Sequence, residues 1–173
     1  MRTAMALCVG LLLACNGDQG QPPARVGNGT PARNDQALLD ANKVLAEREE
    51  RDIMDWIGRQ GTAMRSTGTG LHLKLLRDEP GVPARPGQVA LIEFTVYLID
   101  GTLCYSSDGV PQEVRVEQED VESGLHEGLQ YMSVGDSAIL VIPSHLAHGL
   151  AGDRQKIPMR STVIYRLILK GLR

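Results

Sequence analysis

Few side chains in this 173-residue chain carry groups able to do chemistry, and their spacing is the first thing to weigh. His145 and His148 stand three positions apart with Asp153 a little further on, the start of a metal-ligand set. No further ligand follows at convincing spacing, so the expectation is that no metal is held. Cys104 is either a reactive thiol or a small buried hydrophobe, and the second is the commoner fate of a single buried cysteine. Phe94 is the only phenylalanine and Trp56 the only tryptophan. A binding pocket here must therefore be walled mostly by aliphatic groups. The net charge of −3 provides no basic field, which sets nucleic acid aside as a partner.

The elements that position these residues are legible in outline. Arg2 followed by the apolar run Ala6 to Leu13 has the length of a secretory signal and falls far short of the ~20 residues that span a bilayer. The run ends in Leu12-Leu13-Ala14-Cys15, which looks like a bacterial lipobox and implies lipidation of Cys15 as the first mature residue. Cys8 would leave with residues 1–14, so Cys104 would be the one remaining thiol and no intrachain disulfide could form. Residues 15–33 are rich in Gly, Pro, Gln and Asn and read as a flexible tether. The segment 34–66 opens with a helix to about Arg59, in which Leu38, Ala41, Leu45, Ile53, Trp56 and Ile57 recur on one face. That stripe either docks a partner or packs on the domain that follows, and packing is the simpler expectation. From 67 to 173 short strands dominate: Leu71 to Leu76, Val89 to Ile99 ending at the hairpin signal Asp100-Gly101, pieces around Leu103 and Val114, then Ala138 to Ile142 and Thr162 to Leu169. One short helix falls between Glu119 and Tyr131. This order predicts an α+β fold, an antiparallel sheet wrapped around a short helix and preceded by an N-terminal helix.

Ordered blocks within 71–173 resemble the FKBP-type peptidyl-prolyl isomerases. Glu93-Phe94-Thr95 with Leu98 and Asp100-Gly101-Thr102 resembles the family's second core strand and hairpin, and Ser106-Ser107 its paired serine. Ser123-Gly124-Leu125-His126-Glu127-Gly128-Leu129, followed by Met132-Ser133-Val134-Gly135-Asp136, is similar to its pocket-floor helix and the turn after it. Pro143 to Gly149 resembles a loop that ends in Tyr-Gly in typical members, and Ile157-Pro158 leads into the closing strand. With the lipobox and the N-terminal helix, the whole is most similar to lipoprotein FKBPs of Gram-negative bacteria, including the gliding-motility-associated type.

The resemblance implies a peptidyl-prolyl cis-trans isomerase that needs no cofactor. Its substrates would be proline-containing polypeptide segments, and it would be held outside the cytoplasm, facing the periplasm, by the lipid on Cys15. Phe94 and Tyr165 would form walls and Leu125 the floor, where tryptophan is usual. Val121 and Glu122 would offer backbone groups, Ile157 an apolar rim, and His148 a ring N–H in place of a tyrosine hydroxyl. Cys104, Tyr105 and Gln112 stand where typical members carry phenylalanine, aspartate and another aromatic, so a weak catalyst is expected. Two other functions fit the same residues: a binding module or chaperone without useful turnover, and a structural lipoprotein of an envelope assembly docking through its helix.

Overall fold

The computed structural model describes residues 33–118 and 121–173. The expected leader, Cys15 and all of the expected tether except Arg33 lie outside the described residues. The fold is α+β, as the element order predicted.

Helix α1 (Arg33–Arg59) stops where Gly61 takes a left-handed backbone, φ +64°, with Gly61 N–H bonded to Gly58 O at 3.1 Å. Its apolar stripe is split. Ile53, Trp56 and Ile57 are buried against Val141 and Ile164, whereas Leu38, Ala41 and Leu45 are exposed. The expectation of a single packed stripe is corrected on this point. A helix of 27 residues runs about 40 Å, longer than the ten-residue strands it lies against, which extend roughly 33 Å.

Seven strands form one antiparallel sheet: β1 (Arg65–Ser66), β2 (His72–Arg77), β3 (Val89–Leu98), β4 (Leu103–Ser106), β5 (Gln112–Arg115), β6 (Ser137–Ile142) and β7 (Val163–Leu172). The order is β1-β2-β6-β7-β3-β4, and β5 pairs beside β4 on the same side of β3. One edge therefore ends in a strand of two residues, which leaves the outer side of β2 beyond Leu73 without a strand partner. The other edge is broken into two strands of four residues each.

Alternation along β6 and β7 sorts side chains to two faces. Leu140, Ile142, Val163, Leu167 and Leu169 enter the main core, while Val141 and Ile164 meet α1 on the opposite face. The short helix α2 (Ser123–Leu129) crosses the main-core face. A Cβ at Gly124 would overlap Ile142 and one at Gly128 would overlap Leu140, so the two glycines let α2 lie directly on β6. Gly101, at φ +94°, makes the β3–β4 hairpin, and Asp100 accepts the Thr102 N–H at 2.9 Å.

Candidate active site

A cavity of about 380 Å³ opens beside β3, β4 and β7. Phe94 from β3 and Tyr165 from β7 meet across it with ring centroids 5.8 Å apart, tilted by 45°. They can face each other because β3 and β7 are adjacent, with Phe94 opposite Leu167 and Val96 opposite Tyr165. Tyr105 from β4 and Gln112 from β5 complete the rim, and Val96 lines the cavity between them. The paired serines fix this wall. Ser107 Oγ accepts the Phe94 N–H at 3.0 Å, its own N–H donates to Phe94 O at 3.0 Å, and Ser106 Oγ accepts the Asp108 N–H at 3.0 Å.

Glu122 stands immediately ahead of α2, where its carbonyl accepts the N–H groups of Leu125 and His126. Its side chain is only 9% exposed. Oε1 accepts the Tyr165 hydroxyl at 2.7 Å and lies 2.9 Å from His148 Nε2. Beyond the backbone groups expected of it, Glu122 thus brings a side chain that meets Tyr165 on β7 and His148 in the loop after β6. Burial pushes the Tyr165 hydroxyl well above the usual tyrosine range, and the Glu122 charge and hydrogen bond add to the effect.

A second polar link closes the loop that leads into β7. The Tyr105 hydroxyl donates to Asp153 Oδ2, while Oδ1 accepts the N–H groups of Gln155 and Ile157 at 2.8 Å each. The hydrogen bond to Asp153 raises the Tyr105 hydroxyl above its ordinary range, with burial second. For Asp153 itself burial pushes upward, but the bonds from Tyr105, Gln155 and Ile157 and the nearby His148 outweigh it and hold the carboxyl at about 2. Lys156 lies over the Tyr105 ring, 5.1 Å from its centroid. The three residues that began to look like a metal set have thus gone separate ways: His145 Nε2 contacts Thr69 O at 3.0 Å, His148 is on Glu122 and Asp153 is on Tyr105.

Of the other expected residues, Val121 is half-buried against the main core. Leu125, Ile157 and Cys104 belong to that core, at 3%, 3% and 1% exposure. The cavity is lined by other residues, and Leu125, expected on its floor, sits in the core. Burial, with the Asp153 charge second, pushes the Cys104 thiol up. It stays protonated, and the reading of an inert hydrophobe holds. Sequence reasoning missed the Glu122 carboxylate as a partner and the capping role of Asp153. The second had a signal, since an Asp followed by a short polar loop often accepts N–H groups further along it. A larger cleft of about 720 Å³ lies between α1 and the loops near Ser144 and Thr162. It lacks a ring pair, and the smaller cavity is the better candidate.

Residues 81–170 match the family model described as FKBP-type peptidyl-prolyl cis-trans isomerase. Peptidyl-prolyl cis-trans isomerase FKBP10 of Bos taurus is 38% identical over 88 residues, covering 50% of this chain and 15% of that protein. The chain thus spans a small part of that relative's length. FK506-binding protein 2 of Dictyostelium discoideum is 30% identical over 122 residues, 69% of this chain and 92% of that protein. The crystal structure of FkpA from Escherichia coli superposes with a TM-score of 0.65 at 25% identity, covering 81% of this chain and 66% of that one.

Proposed function

The chain belongs to the FKBP-type peptidyl-prolyl cis-trans isomerase family, and from that premise we propose that it isomerises prolyl bonds in polypeptide segments held against the Phe94–Tyr165 cavity. The ring pair carries the reading. A prolyl bond turns over a barrier of ~18–20 kcal/mol set by amide resonance. Twisting the bond removes the charge separation of the planar amide, so a dry apolar wall favours the twisted form. Phe94, Tyr165 and Val96 supply that wall, Tyr105 and Gln112 bound its rim, and Leu125, Ile157 and Cys104 share the core with Val96 and Tyr165. The Glu122 N–H has no acceptor among the described residues, which leaves a backbone donor for a substrate carbonyl.

In the same reading the protein acts outside the cytoplasm, anchored by a lipid on Cys15 and released from residues 1–14. The tether 15–33 and helical segment 34–66 carry an isomerase domain over 67–173, in the manner of the gliding-motility-associated lipoproteins. The lipobox sequence supports the anchor, and metabolic labelling with a fatty-acid analogue tests it: label should appear on the wild-type protein and vanish with Cys15→Ser. The isomerase reading is tested by NMR exchange between cis and trans forms of proline peptides. Acceleration that Phe94→Ala reduces supports it. Peptide binding without any acceleration would leave a binding module in its place.

A further inference from the structure

The hydrogen-bonding polarity of the site runs opposite to what a peptide carbonyl needs from side chains. The Tyr165 hydroxyl, on the cavity lining, donates to Glu122 Oε1 at 2.7 Å, and His148 Nε2 lies 2.9 Å from the same oxygen. Oε2 has no partner among the described residues. The second carboxylate of the site is saturated, because Tyr105, Gln155 and Ile157 occupy both oxygens of Asp153. Lys156, the nearby cation, is over the Tyr105 ring. What remains is a mostly buried carboxylate whose Oε2 has no partner among the described residues and still reaches solvent, with His148 the basic group beside it. A carboxylate oxygen at the solvent boundary attracts a cationic donor and repels an acidic one, so a ligand that brings a lysine or arginine gains more here than one that brings an apolar or acidic group.

We propose that Glu122 determines specificity, selecting peptides in which a lysine or arginine immediately flanks the proline. The preference rests on the isomerase reading of the same cavity. It assigns to that side chain a role that α2 capping does not require, since Glu122 makes no side-chain cap hydrogen bond.

The test is NMR cis-trans exchange on two matched peptide series, Xaa-Pro and Pro-Xaa, with Xaa set to Lys, Leu or Glu, for the parent chain and Glu122→Gln. The expected result is roughly a tenfold preference for Lys over Leu in at least one series, the size of one charge-assisted hydrogen bond. Glu should come last, and the preference should fall toward unity in Glu122→Gln. Equal rates across both series in the parent, or a preference that survives Glu122→Gln, overturns the proposal while leaving the isomerase reading standing. Should no peptide be turned over, the isomerase reading is what fails. Chemical-shift titration with the same peptides then decides, and binding indifferent to Lys, Leu and Glu, or no binding, overturns the preference. Glu122→Leu makes the same comparison if Glu122→Gln does not fold.

Discussion

Glu49, in the middle of α1, and Glu122, immediately ahead of α2, are both carboxylates drawn into contacts with other elements, and they are used in different ways. Glu49, on α1, has both oxygens committed: Oε1 accepts the Ser144 N–H and the Thr162 hydroxyl at 2.7 Å each, and Oε2 accepts the Ser144 hydroxyl at 2.8 Å. It sits on the same helix as Ile53, Trp56 and Ile57, where apolar contact already holds α1 to β6 and β7. Glu122 has one oxygen bonded to Tyr165, which lines the cavity, and the other without a partner among the described residues. Saturation separates a pin from a contact surface. A fully bonded carboxylate has nothing left to offer a ligand, whereas a half-bonded one keeps an acceptor for it.

Substitutions can break this contrast, and the largest effect is expected in the seam. Ile53 is fully buried, and Ile53→Ala should cost about 3 kcal/mol in urea unfolding through lost contact and a residual cavity. A cost below about 1 kcal/mol would mean that α1 merely rests on the sheet. Next comes Glu49→Ala, which leaves the Ser144 N–H and two hydroxyls without their acceptor and should cost about 2 kcal/mol. Prolyl turnover should not change. A loss of turnover as large as the loss of stability would erase the distinction between pin and site.

On the pocket side Phe94→Ala should slow turnover about tenfold, since one aromatic contact is worth about 0.5–1.5 kcal/mol beyond its area and ~1.4 kcal/mol is a factor of ten. Unchanged kinetics would move the site elsewhere. The smallest effect is expected at Asp153. Its folded-state pKa of about 2 lies below the ordinary 3.8, so the ionised form is favoured by folding. That contribution is complete above the ordinary value and disappears as pH falls through about 2. The stability gap between parent and Asp153→Asn should therefore be constant above pH 4 and narrow toward pH 2. A gap that stays the same at pH 2 would show that the carboxylate charge is not what holds the loop.

How far these features could be read in advance depends on the distance over which each is decided. β3 was legible because β-branched and aromatic residues run up to Asp100-Gly101, a purely local signal. Gly124 and Gly128 were legible as part of a block, and the structure adds their reason in the approach of α2 to β6. β1 was not, since Arg65-Ser66 has neither length nor apolar alternation. The α1 stripe was legible, but where its partner surface ends was not, because periodicity says nothing about how far a facing sheet extends. Phe94 and Tyr165 could be placed on strands that later paired. The convergence of Glu122, His148 and Tyr165 could not, since it joins side chains from three separate elements, and no spacing in the chain encodes such a meeting.

The broken edges of the sheet bear on what such a protein can safely touch. An unpaired strand edge is a template on which a foreign extended chain can add itself and begin to aggregate. Here one edge ends in the two-residue β1, with Lys74 and Arg77 along the uncovered part of β2, and the other is divided between β4 and β5. Neither edge presents a long, flat row of free N–H and C=O groups. In the proposed setting, where unfolded chains arrive repeatedly, a client segment can be gripped at its proline and released without nucleating a shared β-structure with its handler.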